Sequence, residues 1–197
     1  MERKRIEIRW HGRGGQGAVT AAMILAEAAY FDGYRGVTAA PFFGAERRGA
    51  PVIAATRFGR QPILTFSLVE YPDAVVVLDE TLLTVVDVTA GLKPDGLVLI
   101  NSAKACRDIV LARPVNVATT HATRWAKEVG LVVAGAVLFN TTILGGFSKA
   151  TGLISLESIE KALANHFKGE ARDKNIQGAR LAFEGTTIMS ECMLACA

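Results

Sequence analysis

The fold is decided by one stretch near the start of the chain: Ile6-Glu7-Ile8-Arg9-Trp10-His11-Gly12-Arg13-Gly14-Gly15-Gln16-Gly17, followed by Ala18 to Phe31. The first five residues alternate apolar and polar side chains, which is the period of a β-strand. A glycine cluster follows. The next segment is rich in Ala, Leu and Ile and contains no Gly or Pro, which favours a helix. A strand, a glycine turn and a helix in this order are typical of the opening of an α/β domain.

Further strand patterns follow this opening unit. Gly36 to Pro41 predicts a second strand, parallel to the first and paired with it. Val52 to Phe58 and Ile63 to Val69 predict a β-hairpin around the short connection Gly59-Arg60-Gln61-Pro62. Ala74 to Leu78 is a continuous apolar run, which is typical of a buried parallel strand. Similar but shorter runs predict strands at Leu97–Ile100 and Pro114–Ala118.

Helix patterns dominate the last third of the chain. Helices are predicted at about Glu80–Val88, Thr120–Glu128, Leu156–Phe167 and Lys174–Met193, and the pattern also becomes helical from Gly135. The predicted fold class is therefore α/β, as a Rossmann-like domain with a mostly parallel sheet, a β-hairpin and a helical C-terminal third. At 197 residues, the chain is expected to form one domain over 1–197.

Composition excludes several classes of protein. Half of the residues are hydrophobic and only 21% are charged, which excludes a disordered chain. The longest apolar run, Leu131 to Asn140, is interrupted by Gly135 and is too short to span a bilayer. No apolar core of a signal peptide follows the charged start. We therefore expect a cytoplasmic protein that makes no contact with a membrane.

Charge and cysteine content narrow the ligand classes. The net charge is +3, and residues 1–60 hold ten Lys and Arg against five Asp and Glu. This excess is too weak to predict nucleic-acid binding, but it suits a small anionic ligand. The three cysteines, Cys106, Cys192 and Cys196, form no C-x-x-C pair. They are interpreted as reduced thiols, since an iron–sulfur cluster normally takes four thiolates.

The first candidate site is the glycine turn, Gly12-Arg13-Gly14-Gly15-Gln16-Gly17, which matches the pattern G-x-G-x-x-G. Glycines allow a tight turn and let a phosphate approach the backbone N–H groups at a helix N-terminus. The guanidinium of Arg13 can bind a phosphate through two hydrogen bonds. The alternative is a turn that serves only to pack the helix closely on the sheet.

A nicotinamide dinucleotide is disfavoured at this turn. Such a ligand needs an acidic residue at the end of the second strand to hold the ribose. Here that strand ends Thr38-Ala39-Ala40-Pro41, and Asp32 comes too early in the chain. A ligand of ADP type that is held mainly through its phosphates fits better.

The second candidate site is the charged loop Glu46-Arg47-Arg48, which lies between Gly44 and Pro51. Its arginines could meet a phosphate or the carboxylates of a partner, and Glu46 could orient one of them. Adjacent side chains of an extended segment point to opposite sides. Arg47 and Arg48 are therefore expected to have different roles, one facing the ligand crevice and the other pairing with a companion protein. The alternative is a solvated loop with a local ion pair of little energetic value.

Three further polar residues have two interpretations each. Asp79 follows a buried strand and points toward the usual ligand crevice, but capping of the next helix is the favoured interpretation. Asn101 ends the next strand and is interpreted in the same way. His11 adjoins the glycine turn and could touch a ligand. No catalytic triad or pair of carboxylates stands out, so no catalytic residue is predicted.

The motifs together resemble the gamma subunits of 2-oxoacid:ferredoxin oxidoreductases, and most closely the pyruvate type. The residues that carry the resemblance are Ile8 to Ala18, Phe43 to Val52, Pro72 to Asp79, Gly91-Leu92-Lys93 with Gly96, and Thr151-Gly152. The similarity extends over nearly the whole chain, and its ordered set of motifs is specific where the glycine turn alone is not.

The resemblance implies a subunit rather than a complete enzyme. In that family, alpha, beta and delta-type companion subunits hold thiamine diphosphate and the [4Fe-4S] clusters. The complex oxidatively decarboxylates a 2-oxoacid to an acyl-CoA and passes two electrons to ferredoxin. The gamma domain is similar to a mobile cover that contributes to coenzyme A binding. Two alternatives stay open, an architectural subunit without a ligand and an NAD-binding dehydrogenase domain.

Overall fold

The computed structural model describes residues 5–42 and 49–190, which form five α-helices and two β-sheets. The strands are β1 (Ile6–Arg13), β2 (Gly36–Phe42), β3 (Pro51–Gly59), β4 (Ala74–Val77), β5 (Leu97–Asn101), β6 (Asn116–Thr120), β7 (Val132–Val133), β8 (Ala136–Val137) and β9 (Thr187–Met189). The helices are α1 (Ala18–Phe31), α2 (Ala122–Glu128), α3 (Ile143–Thr151), α4 (Leu156–His166) and α5 (Gly169–Gly185), with 3-10 turns at Glu80–Thr84 and Cys106–Asp108. None of the helices in these ranges has the length and apolar character needed to cross a membrane.

The main sheet has seven strands in the order β2-β3-β1-β4-β5-β6-β9. The four strands β1, β4, β5 and β6 pair in parallel, whereas β3 is antiparallel to β1 and β9 is antiparallel to β6. Because β2 is antiparallel to β3, it runs in the same direction as β1. Five of the seven strands therefore point the same way, which confirms the predicted α/β fold with a mostly parallel sheet.

The opening unit has the predicted structure. Strand β1 continues through Gly12 and Arg13, and α1 has the predicted bounds of Ala18 and Phe31. The turn between them ends at Gly17, the N-cap of α1, with φ 76 and ψ 26. This left-handed conformation favours glycine because it crowds the Cβ of other residues.

The predicted partners of two strands are wrong. β2 does not pair with β1, because β3 lies between them. The hairpin is formed by β2 and β3, not by Val52–Phe58 with 63–69. The segment 63–69 belongs to neither sheet, has no regular secondary structure and bends at Ser67. Its carbonyls at Ser67 and Val69 accept hydrogen bonds from buried arginine side chains instead of strand neighbours.

The predicted helix bounds are partly wrong. The helix expected over Glu80–Val88 is a 3-10 turn that ends at Thr84, and α5 begins at Gly169 rather than at Lys174. After α5 the chain forms the short edge strand β9, which the sequence pattern did not predict. Gly135 lies in the turn of the β7–β8 hairpin, and the chain after it becomes helical only in α3. The helical character of the last third is confirmed by α3, α4 and α5.

The two faces of the main sheet are covered differently. One face carries Ile8, Trp10 and Leu99, which pack against apolar residues of all five helices. The other face carries Val75 and Ile100, which pack against 3-10 turns and loops in the described part of the chain. Parallel sheets are usually covered by helices on both faces. On the second face of this sheet, the described residues provide only a thin layer of 3-10 turns and loops.

Candidate functional site

The candidate site lies where β1 ends and α1 begins. A cavity of about 270 Å³ opens there, lined by the glycine turn and the first residues of α1, with Pro41 from β2 and Val52 from β3 on its other side. The carboxyl ends of parallel strands are the usual place for ligands in open α/β sheets. Three glycines of the predicted motif, Gly14, Gly15 and Gly17, therefore line a cavity at the expected edge of the sheet, whereas Gly12 does not.

The glycines of the turn differ in their surroundings. At Gly15, with φ +93, a Cβ would meet no atom within 4 Å, so this residue faces open space. At Gly17, with φ +76, a Cβ would lie 2.5 Å from the Nδ2 atom of Asn140. At Gly12 a Cβ would be 3.1 Å from Leu78. Gly12 and Gly17 thus permit close packing, whereas Gly15 keeps the cavity open.

The first turn of α1 presents unpaired donors to this cavity. The backbone N–H groups of Gly15 and Gly17, and those of Ala18 to Thr20, donate to no acceptor within residues 5–42 and 49–190. Such groups carry the partial positive charge of a helix N-terminus. This arrangement binds phosphate and carboxylate groups in many proteins.

Arg13 and Gln16 fix the shape of the turn through Asp79. The Nε atom of Arg13 and the Nε2 atom of Gln16 donate to Asp79 Oδ2, at 3.1 and 2.9 Å. Arg13 Nη2 also donates to the hydroxyl of Thr81 at 2.8 Å, and Gln16 Oε1 accepts from the backbone N–H of Arg13 at 2.7 Å. The guanidinium therefore lies at the site while it is held by protein acceptors.

Asp79 joins the turn to the end of β4. Its Oδ1 atom accepts from the backbone N–H of Thr81 at 3.0 Å, so it caps the 3-10 turn as the favoured interpretation predicted. Partial burial acts to raise the pKa of Asp79, but hydrogen bonds from Thr81 and Gln16, with the charge of Arg13, outweigh it and hold that pKa below its ordinary value. Asp79 is therefore ionised, and its carboxylate positions the side chains of Arg13 and Gln16 through hydrogen bonds.

The charged loop Glu46-Arg47-Arg48 lies outside the described residues. The residues that follow it contact the glycine turn, since Gly49 N–H donates to Gly14 O at 3.1 Å and Gly14 N–H donates to Ala50 O at 2.8 Å. Arg13 Nη1 also donates to Gly49 O at 3.1 Å. The residues directly after the charged loop, Gly49 and Ala50, therefore lie against the glycine turn.

Two other predicted candidates lie elsewhere. His11 is buried on the opposite side of β1 from Trp10, and its Nε2 atom accepts from Arg9 Nε at 3.1 Å. Burial, helped by the positive charge of Arg9, lowers the pKa of His11 to about 4, so it is neutral at pH 7. Asn101 donates to Leu78 O and accepts from the N–H of Thr123 in α2. Asn101 therefore ties β4 to α2 and caps that helix.

The thiols form no metal centre in the described ranges. Cys106 is a buried free cysteine near Thr119 and Thr187, whereas Cys192 and Cys196 lie outside those ranges. Within residues 5–42 and 49–190, no group of three or more His, Cys, Asp or Glu could hold a metal ion.

Two residues of the site were missed in the sequence. Thr81 holds the Arg13 guanidinium, and Asn140 donates through Nδ2 to the Gly17 carbonyl at 3.2 Å. Asn140 comes directly before Thr141 and Thr142 at the start of α3. A cluster of Asn and Thr is a signal for a helix N-terminus, so the start of α3 could have been found, but the contact with Gly17 spans 123 positions in the chain.

Known proteins share this fold and much of this sequence. Residues 7–185 match the family of pyruvate ferredoxin/flavodoxin oxidoreductases. The pyruvate/ketoisovalerate oxidoreductases common subunit gamma of Pyrococcus abyssi is 52% identical over 186 residues, which cover 93% of this chain and 98% of that protein. The crystal structure of pyruvate oxidoreductase subunit PORC from Thermotoga maritima is 36% identical, with a TM-score of 0.80, over 95% of this chain and 100% of that one.

A larger enzyme contains the same fold as one part of its chain. The 2-oxoglutarate:ferredoxin oxidoreductase from Magnetococcus marinus, solved with 2-oxoglutarate, coenzyme A and succinyl-CoA bound, matches with a TM-score of 0.68. The match covers 96% of this chain but 32% of that one, at 17% identity, so it shows the fold alone.

These similarities define the class as a subunit of a 2-oxoacid oxidoreductase complex. The chain belongs to the pyruvate ferredoxin/flavodoxin oxidoreductase family, and its similarity to gamma subunits extends over most of its length. The resemblance noted in the sequence is confirmed.

Proposed function

We propose that the chain acts in a 2-oxoacid:ferredoxin oxidoreductase, with pyruvate as the favoured substrate, and that its glycine turn binds a phosphate of coenzyme A. In the proposed reaction the bond between the carboxylate carbon and the 2-oxo carbon breaks and carbon dioxide leaves. The acyl group forms a thioester with coenzyme A, whose thiol releases its proton, and the two electrons pass to ferredoxin. This chain supplies binding and cover, and companion subunits supply the chemistry.

One observation carries the assignment of the glycine turn. In the described part of the chain, the backbone N–H groups of Gly15, Gly17, Ala18 and Val19 have no acceptor, and all four residues line the cavity. A side chain at Gly15 would enter open space there. Coenzyme A carries a diphosphate and a ribose phosphate, so it offers the anionic groups that a helix N-terminus binds. Arg13 adds positive charge beside the cavity. Its hydrogen bonds to Asp79 and Thr81 also fix the conformation of the glycine turn.

The size of the cavity limits what this chain holds by itself. Ligand pockets typically measure about 300–1,000 Å³, and this cavity measures about 270 Å³. It fits a phosphate-bearing end of coenzyme A but not the whole molecule. The remainder of the coenzyme would lie against companion subunits, which agrees with a cover that closes over a shared active site.

The predicted arginine loop fits the same role. Arg47 and Arg48 precede Gly49, whose N–H and carbonyl bond to the glycine turn. We assign one of these arginines, with Glu46 as its orienting group, to the coenzyme and the other to a companion subunit. Thiamine diphosphate and the [4Fe-4S] clusters are assigned to the alpha, beta and delta-type companions. The cytoplasmic location and the assignment of 1–197 to a single domain stay predictions.

The geometry speaks against a dinucleotide-binding dehydrogenase. In such folds the strand beside the first is parallel to it and ends in the acid that holds the ribose. Here β4 is the parallel neighbour of β1 on one side, but on the other side, between β1 and β2, lies the antiparallel strand β3, whose beginning at Pro51 and Val52 is beside the glycine turn. Calorimetry with NADH is expected to show no binding to the purified chain.

The coenzyme A site is tested by filling the cavity. Gly15→Asn places a side chain in the open space, and Asn tolerates positive φ better than most residues. Gly33→Asn is the matched control, because Gly33 has φ +98, also faces open space, and lies at the other end of α1, about 21 Å away. Calorimetric titration of coenzyme A into the assembled complex is expected to show at least tenfold weaker binding for Gly15→Asn and unchanged binding for Gly33→Asn.

The same titration separates the alternatives. Equal affinity in both variants and in Arg13→Ala would favour an architectural subunit whose glycine turn only packs. Weaker binding in Gly33→Asn as well would show that strain in α1, and not the cavity, causes the effect. Either result would overturn the assignment of the glycine turn without touching the family membership.

A further inference from the structure

A segment without regular secondary structure lies against the face of the sheet that carries Arg9 and Arg57, without belonging to the sheet. It runs from Ile63 to Leu68, and it follows β3 after the turn at Gly59. We call it the 63–68 segment. Its alternation of side chains predicted a strand, but the structure gives it no strand neighbour within the described residues.

The 63–68 segment exposes large apolar side chains at every second position. Leu64 is 87% exposed, Phe66 is 64% exposed and Leu68 is 43% exposed, and the nearby Tyr71 is 65% exposed. With about 150–250 Å² for each large side chain, these four residues expose an apolar surface of about 500 Å². Large exposed apolar side chains that are grouped in one short segment are a feature of interaction sites.

The backbone of the segment is also unpaired. From Ile63 to Phe66, no backbone N–H or C=O group makes a hydrogen bond to any residue in the described ranges. An extended chain with free backbone groups and alternating apolar side chains is a template for the addition of a strand. The sequence pattern and the free backbone groups therefore both indicate that another strand can pair with this segment.

Two buried arginines hold the segment in place. Arg57 Nη2 donates to Ser67 O at 2.5 Å, and Arg9 Nη1 donates to Val69 O at 3.2 Å. Arg57 is itself paired with Glu7 at 2.7 Å, and both guanidinium groups are shielded from solvent. Because the backbone is anchored to the body of the protein, the apolar side chains are presented in a defined arrangement, which lowers the entropic cost of docking.

Four of the charged residues beside the segment form two ion pairs. A cavity of about 760 Å³ adjoins it, lined by Ile63, Leu64 and several charged residues. In its wall Lys93 pairs with Asp73 at 2.8 Å and Arg5 pairs with Glu7 at 3.4 Å. A surface with compensated charges and protruding apolar side chains complements an apolar partner surface rather than an anion or a nucleic acid.

From these observations we infer that the 63–68 segment is the docking strand for a companion subunit of the oxidoreductase. A strand of the companion pairs with the backbone of residues 63–66, and apolar side chains of the companion cover Leu64 and Phe66. This inference rests on the proposed function, since it takes the occupant to be a companion subunit. Pairing with a second copy of this chain is an outcome of the test.

Hydrogen exchange in the assembled complex tests the backbone pairing. The amides of residues 63–66 are expected to exchange fast in this chain alone and at least tenfold more slowly in the complex. Their protection would show that a partner strand uses these groups. Equally fast exchange in an active, assembled complex would overturn the docking strand while leaving the proposed function intact.

Side-chain variants test the apolar contact. Leu64→Ser with Phe66→Ser is expected to weaken co-purification of the companions at least tenfold. The matched control is Met23→Ser with Val133→Ser, which removes apolar side chains that are 55% and 61% exposed elsewhere on the surface, and it should assemble like the parent.

Three outcomes would contradict the inference. Parent-like assembly of the Leu64→Ser, Phe66→Ser variant would overturn the docking role. A dimer of this chain alone, with residues 63–66 protected, would assign the surface to a second copy instead. A parent chain that binds no companion subunit would overturn both the docking strand and the proposed function.

Discussion

Replacement of Gly17 by alanine tests how the glycine turn is built. The residue has φ +76, and an alanine in this left-handed conformation costs about 1–2 kcal/mol. The new Cβ would also lie 2.5 Å from Asn140 Nδ2, so the Asn140 side chain must move away. Its hydrogen bond to Gly17 O, at 3.2 Å, would be lost, at a further cost of about 1 kcal/mol. The expected loss for Gly17→Ala is therefore about 2–3 kcal/mol of unfolding free energy.

Gly15→Ala is the matched control for this experiment. It has the same kind of backbone strain at φ +93, but its Cβ meets nothing within 4 Å, so only the backbone cost of about 1–2 kcal/mol applies. Urea unfolding followed by circular dichroism measures both variants. In an Asn140→Ala background, the cost of Gly17→Ala should fall toward that of Gly15→Ala, because of the three close contacts only the one with the Cβ of residue 140, at 3.2 Å, remains. Equal losses for Gly17→Ala and Gly15→Ala in the parent chain would refute the contact with Asn140.

Three further predictions concern buried and charged groups. The pKa of His11 is lowered from 6.5 to about 4 in the folded chain. As the pH drops from 6.5 to 4, His11 therefore becomes protonated in the unfolded chain while it stays largely neutral in the folded one. The free energy of unfolding should fall by about 3 kcal/mol over this range. His11→Gln should flatten this part of the profile in urea unfolding at several pH values, and an unchanged slope would contradict the assignment. Arg57→Met breaks a buried pair with Glu7 and should lower the free energy of unfolding by about 3 kcal/mol, which thermal unfolding by calorimetry measures; a loss below about 1 kcal/mol would mean that the pair is screened as on a surface. Among the alanine variants of Arg47 and Arg48, one should weaken assembly and the other should raise the KM for coenzyme A, and two parent-like variants would show that the loop is only solvated.

Local patterns were sufficient where the chain obeys a local rule. The bounds of α1 followed from a glycine turn before Ala18 and from Asp32-Gly33 after Phe31. The apolar run at Ala74 predicted β4, because a strand buried on both faces needs apolar side chains at every position. The glycine turn was predicted at the correct sheet edge, since it joins a strand to a helix.

Long-range contacts decided the rest. The short connection Gly59-Arg60-Gln61-Pro62 favours a hairpin locally, yet β3 pairs instead with β1 and β2, and buried arginines hold the chain that follows. After Asp79, the β-branched residues Val85 and Val86 are poor helix formers, and only a 3-10 turn forms. Asn140 and Thr81 reach the site through contacts across 123 and 68 positions, which no local pattern contains.

The most direct test of the central claim is a structure of the assembled complex with coenzyme A bound. A phosphate oxygen of the coenzyme is expected within about 3.2 Å of backbone N–H groups between Gly15 and Thr20, in the cavity bordered by Pro41 and Val52. Coenzyme A bound with all of its phosphates remote from the glycine turn would contradict the central claim.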